Sequence, residues 1–273
     1  MAKFGKKSTL AATSGAMHAR KEGGVGWMTY DQQAKFNAVT YDMRSAIPRI
    51  MQDFESDTEV RVVVITGAGD KAFIAGSDIS QFSEKRSSED ARRMYDKVSE
   101  EANLSMRNFT KPMIAMIKGY CLGAGVITAM LCDFCIAADD AQFGAPPAKL
   151  GLGFGYDSVD DLVKRVGPSY AAEMLFTGDR YSAMDALKMG LINRVVTSSE
   201  LEPTVQDIAS NIAANAPLTI RSIKTSIRNS QLDERARDMA MVNTQINACF
   251  DSEDYKEGRQ SFLEKRTPVF RGK

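Results

Sequence analysis

Two short runs, Val62-Val63-Val64-Ile65 and Met113-Ile114-Ala115-Met116-Ile117, are apolar at every position. A strand with one wet face alternates polar and apolar residues. A strand that is apolar throughout is covered on both faces, as in a parallel sheet held between layers. Each run leads into a glycine-rich turn and then a segment of helical character, in VRVVVITGAGDKAFIAGSDI (60–79) and PMIAMIKGYCLGAGVITAMLCD (112–133). The pattern points to an α/β fold. Small residues at Ala75-Gly76 and at Gly123-Ala124-Gly125 let a ligand approach bare backbone. The second set stands where a helix over 126–131 should begin, so N–H groups without intrahelical acceptors and the positive end of a dipole point the same way. Two such turns facing each other would offer a pair of donors to an oxygen that gains negative charge.

The chain has 273 residues, enough for one large domain or two small ones, and its 44% hydrophobic content supports a sizeable core. Thirty-five basic and thirty-five acidic side chains cancel. No global field therefore favours nucleic acid or an anionic membrane. No apolar run approaches the length of a membrane span. The expected setting is cytoplasmic. Residues 1–20 are basic, with no acid before Glu22, and read as a disordered leader without a secretory apolar segment. Cys132 and Cys135 are spaced as C-D-F-C, but no second pair follows and His18 is the only histidine. The expectation is buried thiols and no metal site. Gly67-Ala68-Gly69 lacks the third glycine of a dinucleotide-binding loop.

Along the chain, residues 24–29 read as an early strand and 37–54 as a helix with Pro48 inside it. A helix from the Ser87-Ser88-Glu89-Asp90 start runs toward Phe109, with Met94, Val98, Ala102 and Met106 on one face. A strand over 134–138 opens into an irregular stretch, 144–157, rich in glycine and proline, where pockets are often built. Helices over 160–166, 170–177 and 183–189 and a strand over 193–196 follow. From residue 200 the chain reads as almost wholly helical, with Ile220, Ile223 and Ile227 on one stripe. That change marks the expected boundary between residues 21–199 and 200–273.

The ordered set AFIAGSDI, KPMIAMIKGYCLGAG, CDFCIAADDAQFGAP, GDRYSAMDALKMGLINRVV, APLTIRSIK and SEDYKEGRQSFLEKRTPVF resembles the enoyl-CoA hydratase/isomerase (crotonase) superfamily over roughly residues 20–272. The resemblance implies a crotonase-like spiral of ββα units over 21–199 and a C-terminal helical oligomerisation region over 200–273. It implies a homotrimer or homohexamer and an acyl-CoA substrate. Coenzyme A would enter as part of that substrate, with no permanently bound cofactor and no metal. Carried over by motif, the oxyanion hole falls on the backbone N–H groups of Ala75 and Ala124. Lys35, Asn37 and Ala38 match the segment that meets the nucleotide end of CoA. Gly76, Ser77, Asp78 and Ile79 continue the backbone on the adenine side, with Asp78 mainly structural. Phe262 and Lys265 match residues that reach a neighbouring subunit's CoA.

The chain also departs from the pattern. Hydratases of the superfamily use two glutamates for water and its protons, a task suited to paired carboxylates. At the matching positions this chain has Ile127 and Pro147, neither of which holds a proton. Tyr156, Asp157 and Ser77 remain near the acyl pocket. Asp157 reads as a general base, a nucleophile or the cap of the helix over 160–166, and Tyr156 as packing or as a catalytic group. The expected function is an enzyme that stabilises a thioester enolate and performs lyase-type chemistry, either decarboxylation or C–C cleavage. One alternative is a hydratase on an unusual enoyl-CoA with Asp157 as acid/base. Another is a non-catalytic acyl-CoA- or RNA-binding relative, the RNA option being disfavoured by the balanced charge.

Overall fold

The computed structural model describes residues 8–12, 15–85 and 87–273. In chain order the strands are β1 (Ser8–Ala12), β2 (Gly15–Glu22), β3 (Val25–Asp31), β4 (Val62–Gly67), β5 (Ala72–Ile74), β6 (Met113–Ile117), β7 (Tyr120–Leu122), β8 (Phe134–Ala138), β9 (Gln142–Gly144), β10 (Tyr181–Ser182) and β11 (Arg194–Val196). The helices are α1 (Tyr41–Ser56), α2 (Phe82–Lys85), α3 (Glu89–Arg107), α4 (Ala124–Leu131), α5 (Tyr156–Thr177), α6 (Ala183–Lys188), α7 (Ser198–Ala214), α8 (Pro217–Ser230), α9 (Met239–Asp251) and α10 (Glu253–Glu264). The larger sheet runs β1-β2-β3-β4-β6-β8-β11 and the smaller β10-β9-β7-β5. Three times in succession the chain adds a strand to the larger sheet, then one to the smaller, then crosses back through helix: β4-β5-α3, β6-β7-α4 and β8-β9-α5. The fold is an α/β spiral of ββα units.

The unbroken apolar character of β4 and β6 has a direct cause. Val63, Ile65, Met113 and Ala115 face the main core between the sheets and helices. Val62, Val64, Ile114 and Met116 face the other way, onto Leu201, Val205 and Ala209 of α7. Both faces are dry, and each fully buried aliphatic side chain contributes about 1.5–3 kcal/mol. The boundary expected at residue 199/200 therefore falls inside a helix that belongs to the core. A change from strands to helices in the sequence marks secondary structure, not the edge of a layer. The helices beyond α7 are tied back by Lys224 of α8. Its Nζ donates to the Lys111 carbonyl at 2.6 Å and to Asp133 Oδ2 at 2.7 Å.

The leader expected over 1–20 is corrected over its described residues, 8–12 and 15–20. Residues 8–12 and 15–22 are strands, and β2 pairs antiparallel with β3 across the two-residue turn Gly23–Gly24, both at positive φ. Met17 and Ala19 are buried, while between them His18 Nε2 meets Asp31 Oδ2 at 2.9 Å. The Arg20 guanidinium stacks over Trp27 with 4.4 Å from its carbon to the ring centroid. Two of the basic residues that suggested a solvated tail, His18 and Arg20, are on the outward half of an alternating strand. Residues 1–7 and 13–14 lie outside the described residues.

Helix α1 continues through Pro48 and buries Met43, Ile47, Ile50, Met51 and Phe54. Helix α3 buries Tyr95, Ala102 and Met106 but leaves Met94 exposed. The two helices expected over 160–177 are joined as α5, with Gly167 departing from helical angles between them. Cys132 and Cys135 are buried, and their thiols donate to the Thr128 and Ala129 carbonyls. Burial raises the pKa of both. Among the described residues no group of His, Cys, Asp or Glu is placed to hold a metal, and no helix is long and apolar enough to cross a membrane.

Candidate active site

A cavity of about 970 Å³ opens where the two glycine turns meet α3, the segment 34–38 and the first turn of α5. The first turn is zipped to the segment before α1. Ala75 N–H donates to the Phe36 carbonyl at 3.0 Å, Val39 N–H to the Gly76 carbonyl at 2.8 Å, and Asp78 N–H to the Val39 carbonyl at 2.9 Å. Ala75 is thus corrected as a donor to a ligand, because its N–H already closes this backbone zip. Gly76 has φ of +110°, a conformation that L side chains rarely adopt, and it breaks the alternation of the strand. The Gly76 carbonyl and the Asp78 N–H both face Val39, so Ser77 between them turns its own N–H the opposite way. Among the described residues nothing accepts a hydrogen bond from Ser77 N–H.

The second turn enters α4 through Gly123, whose N–H donates to the Gly144 carbonyl at 2.8 Å. Ala124 is the first residue of α4, and its N–H has no intrahelical acceptor. The turns pack without side chains between them. A Cβ on Gly123 would lie 3.7 Å from the Gly76 Cα, and one on Gly125 only 2.3 Å from the Ile74 carbonyl oxygen.

Of the expected CoA contacts, Lys35, Ala38, Gly76, Ser77, Asp78 and Ile79 all border the cavity. Lys35 Nζ donates to Asp78 Oδ2 at 2.9 Å and to Ser80 Oγ at 2.7 Å. Asp78 also accepts from Ser80 N–H and Gln32 Nε2. Burial would raise its pKa, but the hydrogen bonds from Ser80, Lys35 and Gln32 prevail and hold it below the ordinary aspartate value. Asn37 is corrected: it is 1% exposed and does not border the cavity. Its backbone is left-handed and its Nδ2 donates to the Ala68 and Ala72 carbonyls, so the amide fastens two loops together. Phe262 and Lys265 lie outside this cavity. Phe262 is 82% exposed on α10, beside a second, largely apolar cavity that also takes in Ile223, Phe250 and Leu263.

Ile127 and Pro147 both border the main cavity, as do Tyr156 and Asp157. Helix α5 begins at Tyr156 with Gly155 as its cap, so Asp157 sits in the first turn and is not the cap of a later helix. Its carboxylate stands at the positive end of the helix dipole. Tyr156 is 79% exposed. Three features of the wall escaped the sequence: Arg44 on α1, Glu100 on α3, and Arg107, which donates to Asp161 through two hydrogen bonds of 2.9 and 2.6 Å. Arg44 directly follows a buried position of the α1 stripe, the one local sign of it. Arg107 and Asp161 are 54 positions apart, and no local spacing announces them.

Residues 20–273 match the enoyl-CoA hydratase/isomerase family profile. A short-chain-enoyl-CoA hydratase of Clostridium acetobutylicum is 34% identical over 246 residues, covering 90% of this chain and 94% of its own. A carnitinyl-CoA dehydratase of Salmonella typhi is 33% identical, covering 95% and 100%. Among solved structures, an enoyl-CoA hydratase/carnitine racemase from Magnetospirillum magneticum superposes with a TM-score of 0.89 at 30% identity, covering 97% of each chain. A Geobacillus kaustophilus enoyl-CoA hydratase subunit gives 0.85 at 34%, covering 94% of this chain and 98% of that one. With matches that run almost end to end, and with paired glycine turns closing one cavity, the chain belongs to the enoyl-CoA hydratase/isomerase family.

Proposed function

We propose that this acyl-CoA-processing enzyme performs lyase-type chemistry, decarboxylation or C–C cleavage, on a thioester whose carbonyl oxygen is held by the backbone N–H groups of Ser77 and Ala124. The observation behind the lyase reading is that Ile127 and Pro147, at the positions matched to the glutamate pair, border the same cavity as the two turns. Neither side chain delivers a proton to water or an alkene. Loss of CO₂ needs no base: the electrons of the breaking C–C bond move into the thioester, and charge gathers on the carbonyl oxygen. Fixed amide donors favour that oxyanion because they need no reorganisation as the charge develops; removing one such donor typically costs about 10²–10³ in rate. The enolate then takes a proton at carbon from water.

A second reading, hydration of an unusual enoyl-CoA, is favoured by Asp157. Its carboxylate borders the cavity and has no ion-pair partner among the described residues. We further propose that the exposed apolar side chains Ile223, Phe250, Phe262 and Leu263 of α8–α10 are covered by other copies of the chain in a trimer or hexamer.

A substrate panel tests the reaction. Crotonyl-CoA, followed by loss of enoyl absorbance, is expected to turn over slowly or not at all, whereas a malonyl-type thioester is expected to release CO₂. Fast crotonyl-CoA hydration would overturn the lyase reading. Dependence of that hydration on Asp157 would establish the second reading in its place.

A further inference from the structure

Among the described residues three cations border the cavity, from α1, α3 and the segment before α1: Arg44, Arg107 and Lys35. Two are neutralised by the fold, Lys35 by Asp78 at 2.9 Å and Arg107 by Asp161 at 2.6 Å. Arg44 is different. Its Nη2 donates to Ser77 Oγ at 2.7 Å, and its guanidinium carbon lies 5.7 Å from the Tyr95 ring centroid. Its Nε is covered and has no hydrogen-bond partner. Among the described residues no carboxylate lies within 4.0 Å of it as an ion-pair partner. A planar fork with five N–H donors, held in place by a hydroxyl and an aromatic face, is suited to bidentate capture of a carboxylate.

Its position says which carboxylate. The guanidinium is bonded to the side chain of Ser77, the residue whose backbone N–H is proposed above to hold the thioester oxygen. A group bound to Arg44 therefore lies within a few bonds of the reacting carbonyl. Ile127 and Pro147 put no carboxylate at the two matched positions of the wall, while Glu100 and Asp157 border the same cavity from α3 and α5.

We infer that Arg44 is a specificity-determining residue that selects acyl-CoA thioesters whose acyl group bears its own carboxylate, an inference that rests on the acyl-CoA reading of this cavity. The dicarboxylic acyl group would place its thioester oxygen at the two turns and its free carboxylate on the unused edge of the guanidinium.

The test compares glutaryl-CoA and valeryl-CoA, which share a five-carbon acyl chain and differ in the terminal carboxylate, by calorimetric titration. The wild-type protein is expected to bind glutaryl-CoA at least tenfold more tightly. Arg44→Met is expected to reduce that ratio to near one, and Arg44→Lys to retain part of it. The wild-type ratio is decisive without any variant, so a variant that fails to fold leaves the test intact. Equal binding of the two thioesters by the wild-type protein, or a preference that survives in Arg44→Met, would overturn the inference alone. Failure to bind either thioester would overturn the acyl-CoA reading, and this inference with it.

Discussion

Gly125 of α4 lies so close to Ile74 of β5 that a Cβ on it would stand 2.3 Å from the Ile74 carbonyl oxygen. The contact is with backbone, which cannot swing aside. Gly125→Ala must push the start of α4 away from β5, separating the two turns. The expected destabilisation is about 1–3 kcal/mol, with a larger fractional loss of turnover than of fold. Urea denaturation alongside steady-state kinetics checks it; an unchanged midpoint would mean that the turns are not held by this contact.

Restoring the missing acids should redirect the chemistry. Ile127→Glu combined with Pro147→Glu is expected to raise crotonyl-CoA hydration by at least tenfold, since positioned acid–base groups typically contribute about 10²–10⁴. Both side chains border the cavity, so the new carboxylates need not be buried elsewhere. Absorbance at the enoyl band measures the gain. No gain would mean that the proton-transfer route is blocked at some other point.

Lys224 and Asp133 join α8 to the ends of β6 and β8, and Asp133 Oδ2 also accepts from Met113 N–H at 2.7 Å. Burial lowers the Lys224 pKa, the Asp133 carboxylate opposing the shift. Lys224→Met leaves Asp133 with one donor fewer and is expected to lower stability by about 2–4 kcal/mol, less than a fully enclosed pair would lose. Denaturation of Lys224→Met, Asp133→Asn and the double variant would show non-additive costs if the two act as one unit.

Asp78 predicts the acid limb of stability. Its folded pKa lies below the unfolded value, so its contribution is complete above the ordinary aspartate pKa of about 4. The contribution is lost as pH falls through the lower, folded value. Asp78→Asn should therefore be less stable than wild type at neutral pH, with the gap closing at acidic pH. Thermal melts across pH 2.5–7 (about that range) read the difference; a gap constant with pH would remove the charge from the explanation.

Phe262 and Leu263 stand exposed on α10 beside an apolar cavity. Phe262→Asp with Leu263→Asp is expected to convert the proposed assembly to single chains, seen as a fall in mass by light scattering. A wild-type protein that is already monomeric would refute the assembly.

The core was readable in the sequence because its signals are local. β4 and β6 announce burial on both faces by lacking polar residues, and β8 falls where expected, over Phe134–Ala138. The hydrogen bond from Ser80 N–H to Asp78 Oδ1 is local in the same way, built two residues away. What escaped is set by parity or by distance. One residue of register decides whether Ala75 or Ser77 offers a free N–H, and that parity is reversed by a single glycine torsion at Gly76. Asn37 looks like a ligand contact until its amide is seen to bridge Ala68 and Ala72, more than 30 positions away. The place of α7 in the core was not legible because its partners on the sheet, such as Val62, Val64 and Ile114, precede it by more than 80 positions.

The three backbone hydrogen bonds joining Phe36–Val39 to Ala75–Asp78 have a bearing on how such an enzyme diversifies. They make the strip expected to meet the nucleotide end and the strip proposed to flank the reacting carbon a single mechanical part. A substitution that reshapes one displaces the other, so affinity for the carrier and rate at the ester cannot drift independently. Variation in substrate use is then left to side chains outside that part, on α1, on α3 and around the first turn of α5, where they change without disturbing the grip on the common handle.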